Sequence, residues 1–390
     1  MPMVKRFFMA PEGSSFVFGP RGTGKSTWLR QHCPDALWVD LLDSETRRLF
    51  AAHPERLRAA VLASPNRKQV VIDEIQKVPA LLDVVHQVME ECPDRRFLLT
   101  GSSARKLKRA GVDLLAGRAM NLSLHPFMAA ELGTAFDLSS ALDLGLLPVV
   151  VSARNPERAL AAYVGLYLEQ EVQAEALVRD VGGFSRFLEA IAFSHGRLLN
   201  TSAVARECQV SRSIVEGYLA IVEDLLLAFR LPVFSRRAKR LLTQHPKFYY
   251  FDAGVFRSVR PAGPLDTPGE IGGPALEGLV AQHLRAWIAY GNERCRLFYW
   301  RTKSGSEVDF VVYGPGTFFA VEVKNARAAY RRDVRALRSF REDYGAVEVC
   351  LLYRGRERLL VDDVLCLPVD EFLRGLHPKR ALSLREQTSP

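Results

Sequence analysis

Short apolar runs rich in β-branched and aromatic residues alternate with helix-forming segments over the first third of the chain. Strands separated by helices in this way predict a parallel α/β sheet with right-handed crossovers. The predicted strands are 15–19, 36–41, 68–74, 96–103 and 119–124.

In the middle of the chain the apolar residues recur at the spacing typical of helices. Residues 156–179 are helix-forming, and three more predicted helices precede two strand-like runs at 229–234 and 247–251. The segment between these runs is basic, from Arg236 to Arg240. Three helices followed by a basic hairpin predict a winged helix, a module that binds DNA, docks proteins or forms a rigid part of a lid. The three helices are 184–193, 203–208 and 211–227.

A stretch rich in glycine and proline, 261–274, predicts a linker before the last third of the chain. Beyond it the pattern predicts an amphipathic helix, three strands and a basic amphipathic helix. These elements are 275–284, 295–301, 306–312, 318–324 and 331–341. The tail after His377 is polar, and we expect it to be frayed.

Composition narrows the class of protein. A chain of 390 residues is too long for one hydrophobic core, so two or three domains are expected. The formal net charge of +9 suits a polyanionic partner such as nucleic acid, and it equally suits a merely soluble basic protein. The six cysteines form no Cys-x-x-Cys pair. Without a signal peptide or a long apolar run, the sequence predicts a cytoplasmic protein that does not contact the membrane.

A glycine-rich segment between the first predicted strand and the following helix matches the phosphate-binding pattern G-x-x-x-x-G-K-[ST]. Glycines let backbone N–H groups curl round phosphates, and the helix N-terminus adds its dipole. We expect Lys25 to reach the β- and γ-phosphates of ATP and Ser26 to bind Mg²⁺. The predicted ATP-binding residues are Gly19, Pro20, Arg21, Gly22, Thr23, Gly24, Lys25, Ser26 and Thr27.

The strand predicted at 68–74 ends in two carboxylates, Asp73 and Glu74. The carboxyl ends of parallel strands are where ligands bind in open α/β sheets. Asp73 is therefore predicted to hold the Mg²⁺ shell, and Glu74 to orient and deprotonate the attacking water.

Two further residues are predicted to act on the γ-phosphate. The strand 96–103 ends in the hydroxyls of Ser102 and Ser103, where a sensor of that phosphate would lie. Arg118 precedes the last predicted strand and is a candidate phosphate contact. Helix capping and ordinary surface charge are the competing interpretations of Ser102 and Arg118.

The chain resembles AAA-type ATPases of bacteria and archaea that carry a C-terminal domain of unknown function. The resemblance lies in the motifs DEIQKVP at 73–79, LTGSS at 99–103 and LAGR at 115–118. It implies a homo-oligomer, of which a hexamer is one form, in which an arginine acts on a neighbour's nucleotide. Arg118 would do so in its own subunit or across the interface. The resemblance also implies a helical lid after the ATPase domain.

A second motif lies on two predicted strands near the C-terminus. Asp309 is followed 13 positions later by Glu322-x-Lys324, which resembles the PD-(D/E)xK nuclease motif. Glu277, on the preceding helix, is the acid that often completes that motif. Asp309 and Glu322 would share one or two Mg²⁺ ions, and Lys324 would position or activate water. A solvated hairpin, or a nuclease fold kept for binding, gives the same pattern.

The predicted protein is thus α/β, with four domains. These are a P-loop AAA-type ATPase domain at 1–130, a helical lid at 131–180, a winged helix at 181–260 and a restriction-endonuclease-like α/β domain at 270–377.

Three functions remain open for this organisation. The first is an ATP- and Mg²⁺-dependent enzyme that remodels or moves on DNA and cuts or grips it through the terminal domain. The second is an ATP-dependent oligomeric switch of a defence or signalling system with an effector nuclease. The third is a DNA-binding scaffold whose nuclease fold is inactive.

Overall fold

The computed structural model describes residues 4–10, 12–102, 115, 117–168, 180–236, 242–291 and 294–384. Several predictions therefore lie wholly or partly outside the described residues: Ser103, Ala116, the helical stretch 156–179 from residue 169 on, and the basic segment 236–240 from residue 237 on. Contacts divide the chain into two compact units. The smaller comprises Phe8–His125 and Asp224–Leu227, and the larger comprises Met1–Phe7, Pro126–Glu223 and Ala228–Pro390. The division of 131–377 into three domains stays a prediction.

The smaller unit is built on a five-stranded sheet in which every neighbouring pair is parallel. The strands are β1 (Ser15–Phe18), β2 (Leu37–Asp40), β3 (Gln69–Asp73), β4 (Arg96–Gly101) and β5 (Met120–Ser123). Their spatial order is β2-β3-β4-β1-β5. This arrangement confirms the predicted parallel α/β sheet, and it places β4 between the strands that carry the two ATP motifs.

Helices cover this sheet because its strands are apolar on both faces. In β3, for example, Val70, Val71 and Ile72 are all fully buried, as parallel strands between helical layers require. Leu57 and Val85 pack into the same core from the helical side. The helices are α1 (Lys25–His32), α2 (Ser44–Ala52), α3 (Arg56–Leu62) and α4 (Leu81–Glu91), with a short 3₁₀ turn at Ile75–Lys77.

The larger unit begins with short helices and continues with a three-helix group. The short helices are α5 (Ala129–Leu132), α6 (Leu138–Leu144), α7 (Pro148–Val151) and α8 (Pro156–Ala162), followed by a π-helical turn at Tyr163–Leu168. The three-helix group is α9 (Val181–Ala192), α10 (Thr201–Cys208) and α11 (Arg212–Asp224). As its sequence suggests, Asn200 caps α10, because its side chain accepts from the N–H of Ala203 at 3.0 Å.

A small antiparallel sheet accompanies these helices. Its strands are β6 (Arg197–Leu198), β7 (Ala228–Leu231) and β8 (Lys247–Tyr250), in the order β6-β8-β7, and α12 (Ala253–Val259) follows. The sequence predicted two strands here. The third, β6, has only two residues, which is too short to produce an alternating pattern.

The terminal part of the larger unit contains one long helix and a mixed six-stranded sheet of order β13-β14-β12-β11-β10-β9. Strands β9, β10 and β11 are antiparallel, whereas β11, β12 and β14 run parallel. The elements are α13 (Pro268–Ala289), β9 (Arg296–Arg301), β10 (Glu307–Gly314), β11 (Thr317–Lys324), α14 (Arg335–Asp343), β12 (Glu348–Tyr353), β13 (Leu359–Val361), β14 (Val364–Pro368) and α15 (Val369–Gly375).

The predicted linker is wrong in its second half, because α13 begins at Pro268. Thr267 and Glu270 form a capping box, and Pro268 occupies the first helical position, where its missing N–H costs nothing. The predicted amphipathicity is also wrong. The helix is buried nearly all round, because α6, α12, β9 and β11 all pack against it. The basic helix predicted from 331 begins only at Arg335.

Among the residues that the structure describes, no helix has the length and apolar character needed to cross a bilayer.

His283 on α13 is fully buried and neutral. Its Nδ1–H donates to the carbonyl of Leu279 at 2.8 Å, while Nε2 accepts from the N–H of Ala129 at 2.8 Å. A second proton on the ring would lie on Nε2 and point at the N–H of Ala129, which is itself a donor. Burial accordingly lowers the pKa of His283 to about 4, against about 6.5 for an unfolded chain. The contribution of neutral His283 to the free energy of unfolding is therefore fully present above pH 6.5, and it is lost as the pH falls toward 4.

We therefore predict that acidification from about pH 7.5 to 5.5 lowers the unfolding free energy of the wild type by about 1.3 kcal/mol more than that of His283→Gln. The comparison isolates His283, because buried carboxyls titrate in both proteins. Urea titrations at the two pH values measure the difference, and the exposed His53→Gln serves as the control. An equal acid response in all three proteins would contradict the assignment.

Candidate functional site

The glycine-rich loop leads from β1 into α1. Gly22 and Gly24 have φ of 82° and 87°, a conformation that glycine adopts without steric cost. A side chain at Gly19 would meet the carbonyl oxygen of Leu124 at 2.5 Å. The loop therefore needs glycine at these positions to turn tightly beside β5.

Lys25 turns back over the loop. Its ammonium donates to the carbonyls of Gly19 at 2.7 Å and Pro20 at 3.2 Å, and the side chain is buried. Thr23 is also buried and donates to the carbonyl of Pro20 at 2.8 Å. The lysine predicted to reach phosphates thus donates to carbonyl oxygens of the loop.

Asp73 at the end of β3 is 1% exposed and accepts from the hydroxyl of Thr100 on β4. That hydroxyl also accepts from the N–H of Glu74 at 2.9 Å. Burial raises the pKa of Asp73, while hydrogen bonds from Thr100 and Ser26 oppose the rise. A cation beside Asp73 would favour its ionised form, and the Ser26 hydroxyl lies next to it.

Glu74 is held by Gln76. Glu74 has φ 60° and ψ 49°, so the chain turns sharply where β3 ends. The amide nitrogen of Gln76 donates both to the Glu74 carboxylate and to the hydroxyl of Ser102, the latter at 3.1 Å. Gly101 leaves room for this bridge, because a side chain there would meet the Gln76 amide oxygen at 2.9 Å. Gln76 therefore connects the predicted base to the predicted sensor.

Gln76 lies within the DEIQKVP motif, but the sequence predicted no role for this residue. Arg118, by contrast, is partly exposed and pairs with Glu90 of α4 at 2.9 Å. Within the described residues the structure gives Arg118 no hydrogen bond to the phosphate-binding loop. Its predicted role in catalysis stays a prediction.

The second predicted site lies where β10 and β11 pair. Phe310 is opposite Val321, so Asp309 and Glu322 lie side by side across the two strands. The pairing of β10 with β9 shifts by one residue between Val308 and Val311, a bulge that re-aims the side chains there. One oxygen of Asp309 accepts from the N–H of Val323 at 2.9 Å.

Lys324 shares a face of β11 with Glu322, as its spacing predicts, and donates to the first Glu322 oxygen at 2.5 Å. Among the described residues, the second Glu322 oxygen is buried and has no hydrogen-bond partner. Burial and the neighbouring Asp309 raise the pKa of Glu322 well above its ordinary value, and Lys324 only partly opposes this.

Lys247, at the start of β8, is the residue that sequence reasoning missed. Its ammonium contacts the carboxylates of Glu277 at 2.9 Å, Glu307 at 2.6 Å and Asp309 at 3.1 Å, and its side chain is 1% exposed. The sequence placed Lys247 in a wing hairpin, which gave no sign that it would meet acids of the terminal sheet. The one sequence signal was the spacing of Lys247 and Tyr249, which places both side chains on the same face of the strand. In the structure both contact Glu277.

The cluster contains more charge than the motif predicts. Glu307 also pairs with Arg301 at 2.6 Å. Burial alone would lower the pKa of Lys247, but the surrounding carboxylates raise it well above its usual value. The surrounding carboxylates therefore favour the charged form of Lys247. In the part of the chain that the structure describes, no three His, Cys, Asp or Glu side chains are arranged to hold a metal ion.

The five-stranded parallel sheet and its glycine-rich loop define a P-loop nucleotide-binding domain. Family models agree: residues 12–133 match an AAA domain. This match supports an ATPase of the AAA type. Residues 136–266 and 272–372 match two domains of unknown function, DUF8612 and DUF4143.

Curated relatives share most of the chain's length. An uncharacterized protein of Mycobacterium tuberculosis, Rv2008c, is 27% identical over 372 residues, which cover 91% of this chain and 80% of the relative. The uncharacterized protein Mb2031c of Mycobacterium bovis matches to the same extent. An uncharacterized protein of Haemophilus influenzae is 24% identical over 271 residues, covering 62% of this chain and 68% of the relative.

We predict that Gln76→Ala lowers kcat for ATP hydrolysis about tenfold and leaves ATP affinity within about threefold, because it frees Glu74 and Ser102 without touching the phosphate loop. Steady-state kinetics and nucleotide binding measure the two effects. Gln87→Ala, on the exposed face of α4, is the matched control. A purely structural role for Gln76 would instead change affinity and thermal stability while kcat per folded molecule stayed constant.

Proposed function

We propose that this protein hydrolyses ATP at the carboxyl edge of its parallel sheet and uses the reaction to act on DNA. One observation supports ATP hydrolysis: the phosphate loop, Asp73, Glu74 and Ser102 meet at the same edge of the sheet. These residues come from β1, β3 and β4, which are neighbours in the order β3-β4-β1. The ends of three adjacent strands therefore supply phosphate binding, a carboxylate pair and a hydroxyl.

The phosphate loop would bind the triphosphate through its backbone N–H groups and through Lys25. Phosphate oxygens would replace the carbonyls of Gly19 and Pro20 as partners of the ammonium. Because Lys25 is buried, its charge acts in a medium that screens it less than water does. The helix α1, which begins at Lys25, adds the positive end of its dipole.

Ser26 and Asp73 are suited to hold the Mg²⁺ that accompanies ATP. Both offer oxygen ligands, which Mg²⁺ prefers, and their side chains already share a hydrogen bond. When bound, the ion would neutralise charge on the β- and γ-phosphates. Thr100 fixes the orientation of the Asp73 carboxylate from the adjacent strand.

Glu74 is the proposed general base, and Gln76 holds it. A carboxylate at the strand end can take the proton of the attacking water only when it points at the γ-phosphate. Gln76 binds both Glu74 and Ser102. Movement of the Ser102 hydroxyl toward a γ-phosphate would therefore shift the Gln76 amide and, with it, the Glu74 carboxylate. We propose that Ser102 reports the γ-phosphate to Glu74 through this amide.

The proposal of DNA as the partner rests on charge and on the helical module. The group of α9, α10 and α11 with the sheet β6-β8-β7 supports a winged-helix interpretation. Its last helix, α11, is net acidic, because Arg212 is its one basic residue beside three acids, and Arg212 lies 3.8 Å from Glu216. Arg236, at the start of the basic wing, is therefore the better phosphate contact.

The basic helix α14 is a second candidate surface for phosphates. Arg331 and Arg332, just before it, are 86% and 82% exposed at their side chains. Arg331 and Arg338 both pair with Asp362, which weakens their contribution. Arg335 is exposed and belongs to the same surface. Such arginines bind backbone phosphate without reading sequence.

One observation favours the alternative of a slow nucleotide switch. Arg118 is 44% exposed at its side chain and pairs with Glu90 of α4 at 2.9 Å, so it lies at the surface, where a neighbouring subunit could bind. In this function ATP binding would drive self-association, and Arg118 would act across the interface of a homo-oligomer.

We predict that DNA raises the ATPase rate at least about fivefold at low salt and that added salt removes the effect, because phosphate contacts release counterions. Steady-state ATP hydrolysis with single-stranded, duplex and branched DNA measures this. Marked stimulation by one form would support a DNA-acting enzyme. Equal rates with every DNA, together with ATP-dependent oligomers in sedimentation, would replace that proposal with the switch.

The same ATPase assay tests the role of Glu74 as the general base. We expect Glu74→Gln to lower kcat at least about 100-fold while ATP still binds, because the amide keeps the shape but cannot accept the proton. Glu45→Gln, on the exposed start of α2, is the control and should retain the wild-type rate. Wild-type turnover in Glu74→Gln would remove Glu74 from the mechanism.

A further inference from the structure

The terminal carboxylate cluster has a cation at its centre that belongs to the chain. The Lys247 ammonium has three N–H donors, and three carboxylate oxygens lie within 3.1 Å of its nitrogen. They come from two elements of the fold: Glu277 from α13, and Glu307 and Asp309 from β10, where Asp309 lies within the bulge. Two of these contacts, to Glu277 and Asp309, are hydrogen bonds, and the third, to Glu307, is an ion pair.

The backbone fixes the position of this cation. Lys247 lies in β8, the central strand of its sheet, opposite Leu198 on one side and Leu231 on the other. Tyr249, on the same face, donates to the same Glu277 oxygen at 2.5 Å. The side chain of Lys247 is 1% exposed, so its ammonium lies away from solvent.

The carboxylates of the predicted motif have little left to offer a metal ion. One Asp309 oxygen contacts Lys247, and the other accepts from the N–H of Val323. One Glu322 oxygen contacts Lys324, which leaves its second oxygen unpartnered. Mg²⁺ requires near-octahedral oxygen ligation at about 2.0–2.1 Å, which a single free oxygen beside an ammonium does not provide.

Charge leads to the same conclusion. Four carboxylates (Glu277, Glu307, Asp309 and Glu322) face three cations (Lys247, Lys324 and Arg301). The cations already offset the negative charge of these acids. A divalent ion would stand beside a buried ammonium, an arrangement that costs free energy in a low dielectric.

The residues present therefore do not fit the metal that the nuclease-like motif implies. We propose that Lys247 takes the place of the divalent ion in this site, so that the terminal domain excludes catalytic Mg²⁺ or Mn²⁺ and cuts no phosphodiester bond. The lysine also ties β8 to α13 and β10. The inference is independent of whether the protein acts on DNA, because it concerns only the cation that these carboxylates bind.

Manganese binding to the full chain tests this inference, with Mn²⁺ as the probe. The parent protein is the nucleotide-free Asp73→Asn variant, which removes the predicted ligand at the ATP site. We expect loss of the free Mn²⁺ resonance signal to show no bound ion in the parent and roughly one per chain once Lys247→Ala is added. Further addition of Asp309→Asn should remove the new site, and the exposed Lys303→Ala should create none.

Two results would overturn the inference. One is a bound Mn²⁺ in the parent that disappears with Asp309→Asn, since the wild-type lysine would then not exclude the metal. This comparison decides the question even if Lys247→Ala fails to fold. The other is a folded Lys247→Ala protein that still binds no Mn²⁺, because something other than the ammonium would then keep the ion out.

Discussion

The buried contact between Lys247 and three carboxylates is the constraint on which the larger unit depends. Four acids in one buried place repel one another strongly unless cations are built in beside them. Lys247 supplies the central charge from β8, whereas the acids that it contacts lie on α13 and β10. Loss of the lysine alone would break this buried ionic contact, which commonly costs about 3–5 kcal/mol. One ammonium thus links β8 to α13 and to the terminal sheet.

The ATP site is built on the opposite principle. Asp73 is buried with hydroxyl partners from Thr100 and Ser26, and within the described residues the structure gives it no ion pair, so its charge is available to a cationic ligand. Glu74 and Ser102 are joined by a neutral amide, which orients both groups without neutralising either. One carboxylate site therefore suits an incoming metal ion, whereas the other already contains its own cation. The same residue types serve two purposes because their neighbours differ.

The sequence was most informative where a local pattern determines structure. The glycine loop, the strand ending in Asp73 and Glu74 and the parallel sheet follow from short-range periodicity and turn chemistry, and the structure has them. The linker prediction failed because glycine and proline also occur in a first helical turn and in a buried helix such as α13. Lys247 could not be found, because its partners lie 30 or more positions away and only the folded sheets bring them together. Gln76 lay inside a predicted motif, yet its bridge depends on Gly101 of another strand.

Anomalous diffraction from crystals of the full chain, grown with an ATP analogue and excess Mn²⁺, would test the central claim most directly. We predict a manganese peak beside Ser26 and Asp73. At the second site we predict none, with the Lys247 nitrogen lying among the oxygens of Glu277, Glu307 and Asp309. A manganese peak within about 2.2 Å of the Asp309 carboxylate, with Lys247 turned away, would contradict the account.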